Sequence, residues 1–341
     1  MAEALLDTNA PFDNNKMQLL DQVVQCLHQG SQDERAAADK LLNDFKELPT
    51  AWTYVDFILE NSQSDATKFF SLTILDGLIK SKWTLLPQDQ KEGIKTFIVE
   101  LDIKIAGDEE NTNQKNNFLL SKLNHILVGI IRHEWTTTWK NFIPELCGSS
   151  RTNQSLCENN MTILRMLSEE IFDFSKSEMT SEKTRELKQT MTEQFSEIYS
   201  LCKFILQTHV ESKGSVKTSL VRNTLRTLGC FMTWIPLGYI FETDLIESLI
   251  TNFLDVSHFR TETLQCLTEI AGLKLDPNDA DTQKYNQLLV VMFSQFMRRM
   301  SGIIPDNVNL ANEYHGMTSN VRTMFEGFCQ HMSLFLSNFF Q

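Results

Sequence analysis

Residues 119–131 read LLSKLNHILVGII, and the placing of their apolar side chains decides the fold. Leu119, Leu120, Leu123, Ile126, Leu127, Ile130 and Ile131 recur at steps of three and four with adjacent pairs. That is one stripe on a helix of about 3.6 residues per turn, and no alternation of period two runs through it. The same signature lies on both sides. Toward the N-terminus it is Ile94, Phe97, Ile98, Leu101 and Ile105; just beyond, Trp139, Phe142, Ile143 and Leu146. Further on come Met191, Phe195, Ile198, Cys202 and Ile205, then Leu245, Ile246, Leu249, Ile250, Phe253 and Leu254. The chain reads as all-α.

The stripes come in pairs: 16–29 with 32–48, 50–61 with 64–82, 87–106 with 112–134, 136–148 with 152–174, 180–210 with 214–233, 242–255 with 257–273, and 281–301 with 318–340. Pair-to-pair spacing sits near ~40–47 residues, the HEAT or armadillo period. A superhelical solenoid of about seven antiparallel helix pairs is therefore expected, each pair burying its apolar face against its neighbours. Pro49, Pro87, Pro236 and Pro277 fall between segments or at helix starts, where a missing N–H costs nothing. Ser64, Thr152 and Asp281 are the expected N-caps, and the polar stretches 107–113 and 274–283 the expected loops. The last stripe holds Met324, Phe325, Phe328, Phe335, Leu336, Phe339 and Phe340. A repeat array should close on a polar cap, so this reads as an exposed apolar face where the chain is cut inside or just after a repeat.

Composition narrows the function classes. The 341 residues carry 31 basic and 44 acidic side chains, a net charge of −13, which disfavours nucleic acid or an anionic membrane as main partner. Only 13 Gly and 7 Pro argue against a turn-rich sandwich or barrel, and 42% hydrophobic residues against wholesale disorder. The seven cysteines are dispersed and never form CxxC, as in a reducing compartment. No basic segment followed by an apolar run opens the chain, and no apolar stretch reaches the ~18 residues of a membrane span.

Chemistry-bearing motifs are missing. There is no GxG dinucleotide fingerprint, no GxxxxGK phosphate loop and no GxSxG elbow. His133-Glu134 begins like HExxH, but Thr137 stands where the second His is needed. No catalytic residue, metal ligand or cofactor is expected, and the chain reads as a binding protein rather than an enzyme. The informative faces are polar strips. In the helix 64–82, apolar side chains wrap most of the circumference and leave Thr73, Gly77 and Lys80, flanked by Asp76. Such a helix belongs on a packed inner layer, and Gly77 would let another backbone approach closely. On 112–134 the face opposite the stripe holds Gln114, Ser121, His125 and Arg132.

Several strings are more specific than periodicity. KLNHILVGIIRHEW (122–135), SLCENNMTILRMLSEEIFDFS (155–175), FMTWIPLGYIFET (231–243) and CLTEIAG (266–272) resemble the amino-terminal region of the chromosome-region-maintenance exportins. These are the importin-β-superfamily receptors for leucine-rich nuclear export signals. Residues 39–83 are similar to that superfamily's amino-terminal Ran-binding domain. The resemblance implies an N-terminal extension at 1–15, Ran-binding HEAT repeats at 16–106 and further repeats at 107–341, ending before the export-signal groove. It implies that Ran-GTP meets the second helices of the first repeats, with Thr73, Asp76, Gly77, Lys80, Ser121 and His125 as candidate contacts. The superfamily often has Asn at the position of Gly77, so one contact is expected to be missing. The implied partners in a full-length chain are Ran-GTP, export-signal cargo and nucleoporins, with shuttling between nucleus and cytoplasm and no cofactor. The reactive cysteine of the family's groove lies beyond this chain, so none of the seven inherits that role. The alternative is a HEAT scaffold that assembles protein complexes without a GTPase.

Overall fold

A computed structural model describes residues 2–108, 114–172, 179–212, 214–276, 281–303, 309, 314–316 and 319–340. Among them the regular elements are helical and there is no strand. The chain divides into two compact units, Met1–Lys140 and Asn141–Gln341.

The first unit comprises α1 (Ala2–Leu6), α2 (Asn14–Gln29), α3 (Gln32–Lys46), α4 (Val55–Asn61), α5 (Asp65–Lys82), α6 (Gln88–Gly107) and α7 (Gln114–Glu134). Local chemistry sets the helix starts. Asp13 accepts from the amides of Asn15 and Lys16, Ser31 and Glu34 form a capping box, and Ser64 accepts from the Thr67 amide. Helix α2 packs on α3 and α5, α4 on α5, and α7 on both α5 and α6. Leu20, Phe45, Ile58, Leu72, Ile98, Leu123, Ile126 and Ile130 are fully buried between them. Helix α7 packs tightly on α5 at Gly129, where a Cβ would come within 3.2 Å of Ile79 Cγ2. Glu134, read from sequence as half of a failed metal motif, is instead a buried tie: it accepts from Trp83 Nε1 at 2.8 Å and from the Thr138 hydroxyl.

The second unit comprises α8 (Phe142–Ser149), α9 (Gln154–Phe172), α10 (Ser181–Glu193), α11 (Phe195–Glu211), α12 (Thr218–Phe231), α13 (Gly238–Phe241), α14 (Leu245–Ser248), a π turn (Leu249–Phe253), α15 (Arg260–Ala271), α16 (Thr282–Ile303) and α17 (Ser319–Phe339). Helices α9, α12, α15 and α17 stack in succession. Some partners across the stacks sit one repeat apart in sequence. Tyr199 pairs with Thr243, Lys203 with Asp244, Cys266 with Leu225 and Arg299 with Asp255, at separations of 41–44 residues. Between α9 and α12 the separation lengthens to 61–66, and between α15 and α17 to 63–70.

Four expectations change. The single segment 180–210 breaks at Gln194, which lets the buried Phe195 ring meet Phe231, Trp234 and Tyr239 edge-on. The cap of α9 is Asn153 rather than Thr152, accepting from the amides of Ser155 and Leu156. The stripe 242–255 is not one α-helix but contains the π turn, closed by the Leu254 amide on Leu249 O. The apolar face of α17 is largely covered: Phe335 is fully buried against Phe296, with ring centroids 4.1 Å apart, and Phe339 stacks on Phe293 at 4.2 Å. Phe328 is buried too, and Phe340 remains 74% exposed. Residues 109–113 and 277–280 of the expected loops, Pro277 among them, lie outside the described residues, as do the Gln114 and Met324 side chains.

The string WIPLGYIFET contributes Ile235, Ile240 and Phe241 to the core of this unit. Trp234 stacks on Phe172 at 4.2 Å and donates from Nε1 to the Ser168 hydroxyl at 2.8 Å. The Tyr199 hydroxyl donates to Thr243.

Candidate functional site

The polar strip of α5 exists because its neighbours take the rest of the helix. Phe70, Leu72, Ile74, Leu75, Leu78 and Ile79 are buried, whereas Gly77 and Lys80 are exposed and Thr73 and Asp76 half-buried. The Thr73 hydroxyl is turned back onto Phe70 O at 2.6 Å. Gly77 is open: a Cβ built there meets nothing within 4 Å.

Asp76 joins the two helices. Its Oδ2 accepts from Lys80 Nζ at 3.1 Å within α5 and from Lys122 Nζ at 2.5 Å across to α7. Burial alone would raise this carboxyl, but the two ammonium groups outweigh it and hold it below its ordinary 3.8. Ser121 and His125, one residue before and three after Lys122 on the same helix, are both exposed. On an α-helix His125, three residues on, shares the face of Lys122, whereas Ser121, the adjacent residue, points about 100° away from it. Of the six expected residues, Asp76 and Lys80 belong to the ion pair itself, Thr73 and Gly77 lie on the same helix α5, and Ser121 and His125 lie exposed on α7. Of the remaining polar residues of α7, Arg132 is half-buried.

Sequence reading missed three components. Lys122 sits where the polar and apolar faces of α7 meet, so neither stripe singled it out. Phe69 of α5 stacks on the exposed Phe118 of α7 at 4.2 Å, and Lys122 Nζ lies 5.9 Å from the Phe69 ring. Beside Thr73 and Gly77 a cleft of about 370 Å³ opens, walled by Leu48, Pro49, Trp52 and Leu85. Those walls come from loops and 3₁₀ turns, which carry no periodic signal.

No group of three metal-ligating side chains occurs among the described residues. None of the described helices is long and apolar enough to cross a membrane. All seven cysteines are free thiols. Burial pushes Cys147 up to about 12 and Cys157 to about 11, so both are poor nucleophiles at neutral pH.

Comparison with known proteins sets this geometry in context. The importin-beta N-terminal domain family matches residues 38–104, which contain α5, and the exportin 1-like protein family matches residues 116–267. Exportin-1 of Drosophila melanogaster is 43% identical over 316 residues, 92% of this chain and 28% of its own length. Protein EXPORTIN 1B of Arabidopsis thaliana is 40% identical over 341 residues, all of this chain and 30% of its own. The chain thus spans about 30% of the length of these relatives. Among solved structures, Kap121p bound to Ste12p superposes with a TM-score of 0.51 at 14% identity, covering 95% of this chain and 33% of that one, a likeness of fold. The architecture is an all-α HEAT-type solenoid, and by its identity to exportin-1 proteins along its whole length the chain belongs to the exportin-1 family of the importin-β superfamily.

Proposed function

We propose that this chain is part of a nuclear export receptor and that Ran-GTP docks on the α5–α7 strip within its first repeats. The observation that carries the reading is the strip itself. Gly77 and Lys80 are solvent-exposed on α5, Ser121 and His125 on α7, the Asp76–Lys122 pair joins these two helices, and α5 lies inside the span matched by the importin-β N-terminal domain. A helix otherwise wrapped in apolar contacts has little other polar surface to offer a partner. Export-signal cargo and nucleoporins are the further partners of the full-length receptor, which shuttles between nucleus and cytoplasm.

The test is binding of the chain to Ran loaded with a non-hydrolysable GTP analogue or with GDP, followed by titration calorimetry. Preference for the GTP state, reduced at least tenfold by Lys80→Glu/His125→Glu, is expected. Both side chains are exposed, so the variant should fold as wild type does. The remote Gln207→Lys, on exposed surface of α11, should bind normally. Equal binding of both nucleotide states would turn the assignment toward a HEAT scaffold.

A further inference from the structure

The cleft beside Gly77 goes further than the strip. Two glycines lie on the facing helices α5 and α7, and they differ in kind. Gly129 sits in tight packing, where a Cβ would meet Ile79 Cγ2 at 3.2 Å and push it aside by a few tenths of an ångström. Gly77 does not: its Cβ position is empty space, and among the described residues positive φ occurs only at Gly214. Helix propensity and local sterics would both accept almost any other residue in the middle of α5. What Gly77 does provide is a bare backbone floor to the cleft of about 370 Å³. Trp52 and Pro49 wall one side, and Leu85, 80% exposed, walls the other. The rim is locally basic. Lys46 and Lys82 stand against a single carboxylate, Glu47, in a chain whose net charge is −13.

We infer that this cleft seats one apolar side chain of the GTPase, carried on a loop with a neighbouring acidic residue, while the loop's backbone crosses over Gly77. The occupant follows from position and charge. Thr73 and Gly77 belong at once to the strip and to the cleft lining, so a partner laid along the strip must pass the mouth. Apolar walls select the inserted side chain, and the two lysines select the acid beside it. The pocket rests on the Ran reading above and adds to the strip a place for an anchoring side chain.

The test uses the whole 341-residue chain and Ran loaded with a non-hydrolysable GTP analogue. Gly77→Ala and Gly77→Leu fill the floor, and Leu85→Ala removes a wall without filling anything. Gly77→Leu is expected to melt at or above wild type while its affinity drops more than tenfold. Gly77→Ala should lose a few-fold, and Leu85→Ala three- to tenfold. A rise in helix stability paired with a loss of binding is an outcome that a merely structural glycine does not produce. Binding of Gly77→Leu within twofold of wild type overturns the cleft assignment and leaves the strip standing. Failure of wild type to prefer the GTP form, by contrast, sinks both. Should Gly77→Leu melt below wild type, Leu85→Ala decides the matter, and unchanged affinity there refutes the pocket.

Discussion

Lys122 Nζ lies 2.5 Å from Asp76 Oδ2, across two helices that are one repeat apart. Both side chains are more than four-fifths shielded from solvent, so the pair is a joint rather than a surface ornament. Lys122→Met leaves the shielded Asp76 with only the more exposed Lys80 as its partner, and should cost about 1–3 kcal/mol. Asp76→Leu/Lys122→Met together should cost much less than the two single changes summed. Urea unfolding of the double-mutant cycle checks this, and additive losses would show that the two residues do not interact.

Phe335 is fully buried between the rings of Phe293 and Phe296. Phe335→Ala should lose about 3–5 kcal/mol as transfer and cavity terms combine. Phe340→Ser, at a 74% exposed position, should change stability by no more than about 0.5 kcal/mol. Thermal unfolding of the two variants gives the contrast directly.

The thiols sort by burial. Cys26 is exposed, while Cys147, Cys157, Cys202 and Cys266 are buried. Iodoacetamide at neutral pH should label Cys26 in the native protein and reach those four only after denaturation. Mass spectrometry of the labelled peptides reads the result, and native labelling of Cys202 would contradict the packing.

Acid should weaken the second unit first. His209 packs against the rings of Phe253 and Phe259, and burial lowers its pKa below the ordinary 6.5; burial lowers that of His331 as well. Both bind protons less readily when folded, so the unfolded chain gains protons first and stability falls as pH drops below about 6.5. Asp76 has the opposite kind of shift for a carboxylate. Its folded pKa is depressed, so its contribution is complete above 3.8 and is lost only as pH falls through the lower folded value. Melting points should therefore decline as pH falls below about 6.5, and His209→Phe should flatten that decline. An unchanged slope in His209→Phe would exclude His209 as its source.

Much of this was legible in the residues. Stripes of three and four pointed to the helices, and the repeat spacing reappears in bonded pairs such as Lys122–Asp76 and Tyr199–Thr243, 46 and 44 residues apart. What stayed hidden lies between elements. The break at Gln194 carries neither Gly nor Pro, because the aromatic box around Phe195 imposes it. Cover for α17 comes from Phe293 and Phe296, roughly 40 residues upstream, so the C-terminal stripe looked bare when read alone. Lys122 falls at the seam of two faces, and only the position of α5 reveals its role. The walls of the Gly77 cleft, Trp52 and Leu85, lie in 3₁₀ turns where no period points to them.

The π turn at Leu249–Phe253 is a solution to a counting problem. Leu245, Leu249 and Phe253 recur every four residues, as do Ile246, Ile250 and Leu254. On a regular helix each four-residue step overshoots a full turn by ~40°, so the stripe would wind away from the core within two steps. The wider turn, with Leu254 bonded back to Leu249, takes up the surplus, and Leu249, Ile250, Phe253 and Leu254 are all buried. The local winding is thus tuned to a four-residue cadence, and the length of this segment cannot drift freely. Deleting the exposed Thr251 would restore ordinary winding but rotate Phe253 and Leu254 by about a quarter turn or more, turning a tolerable surface change into a loss of core.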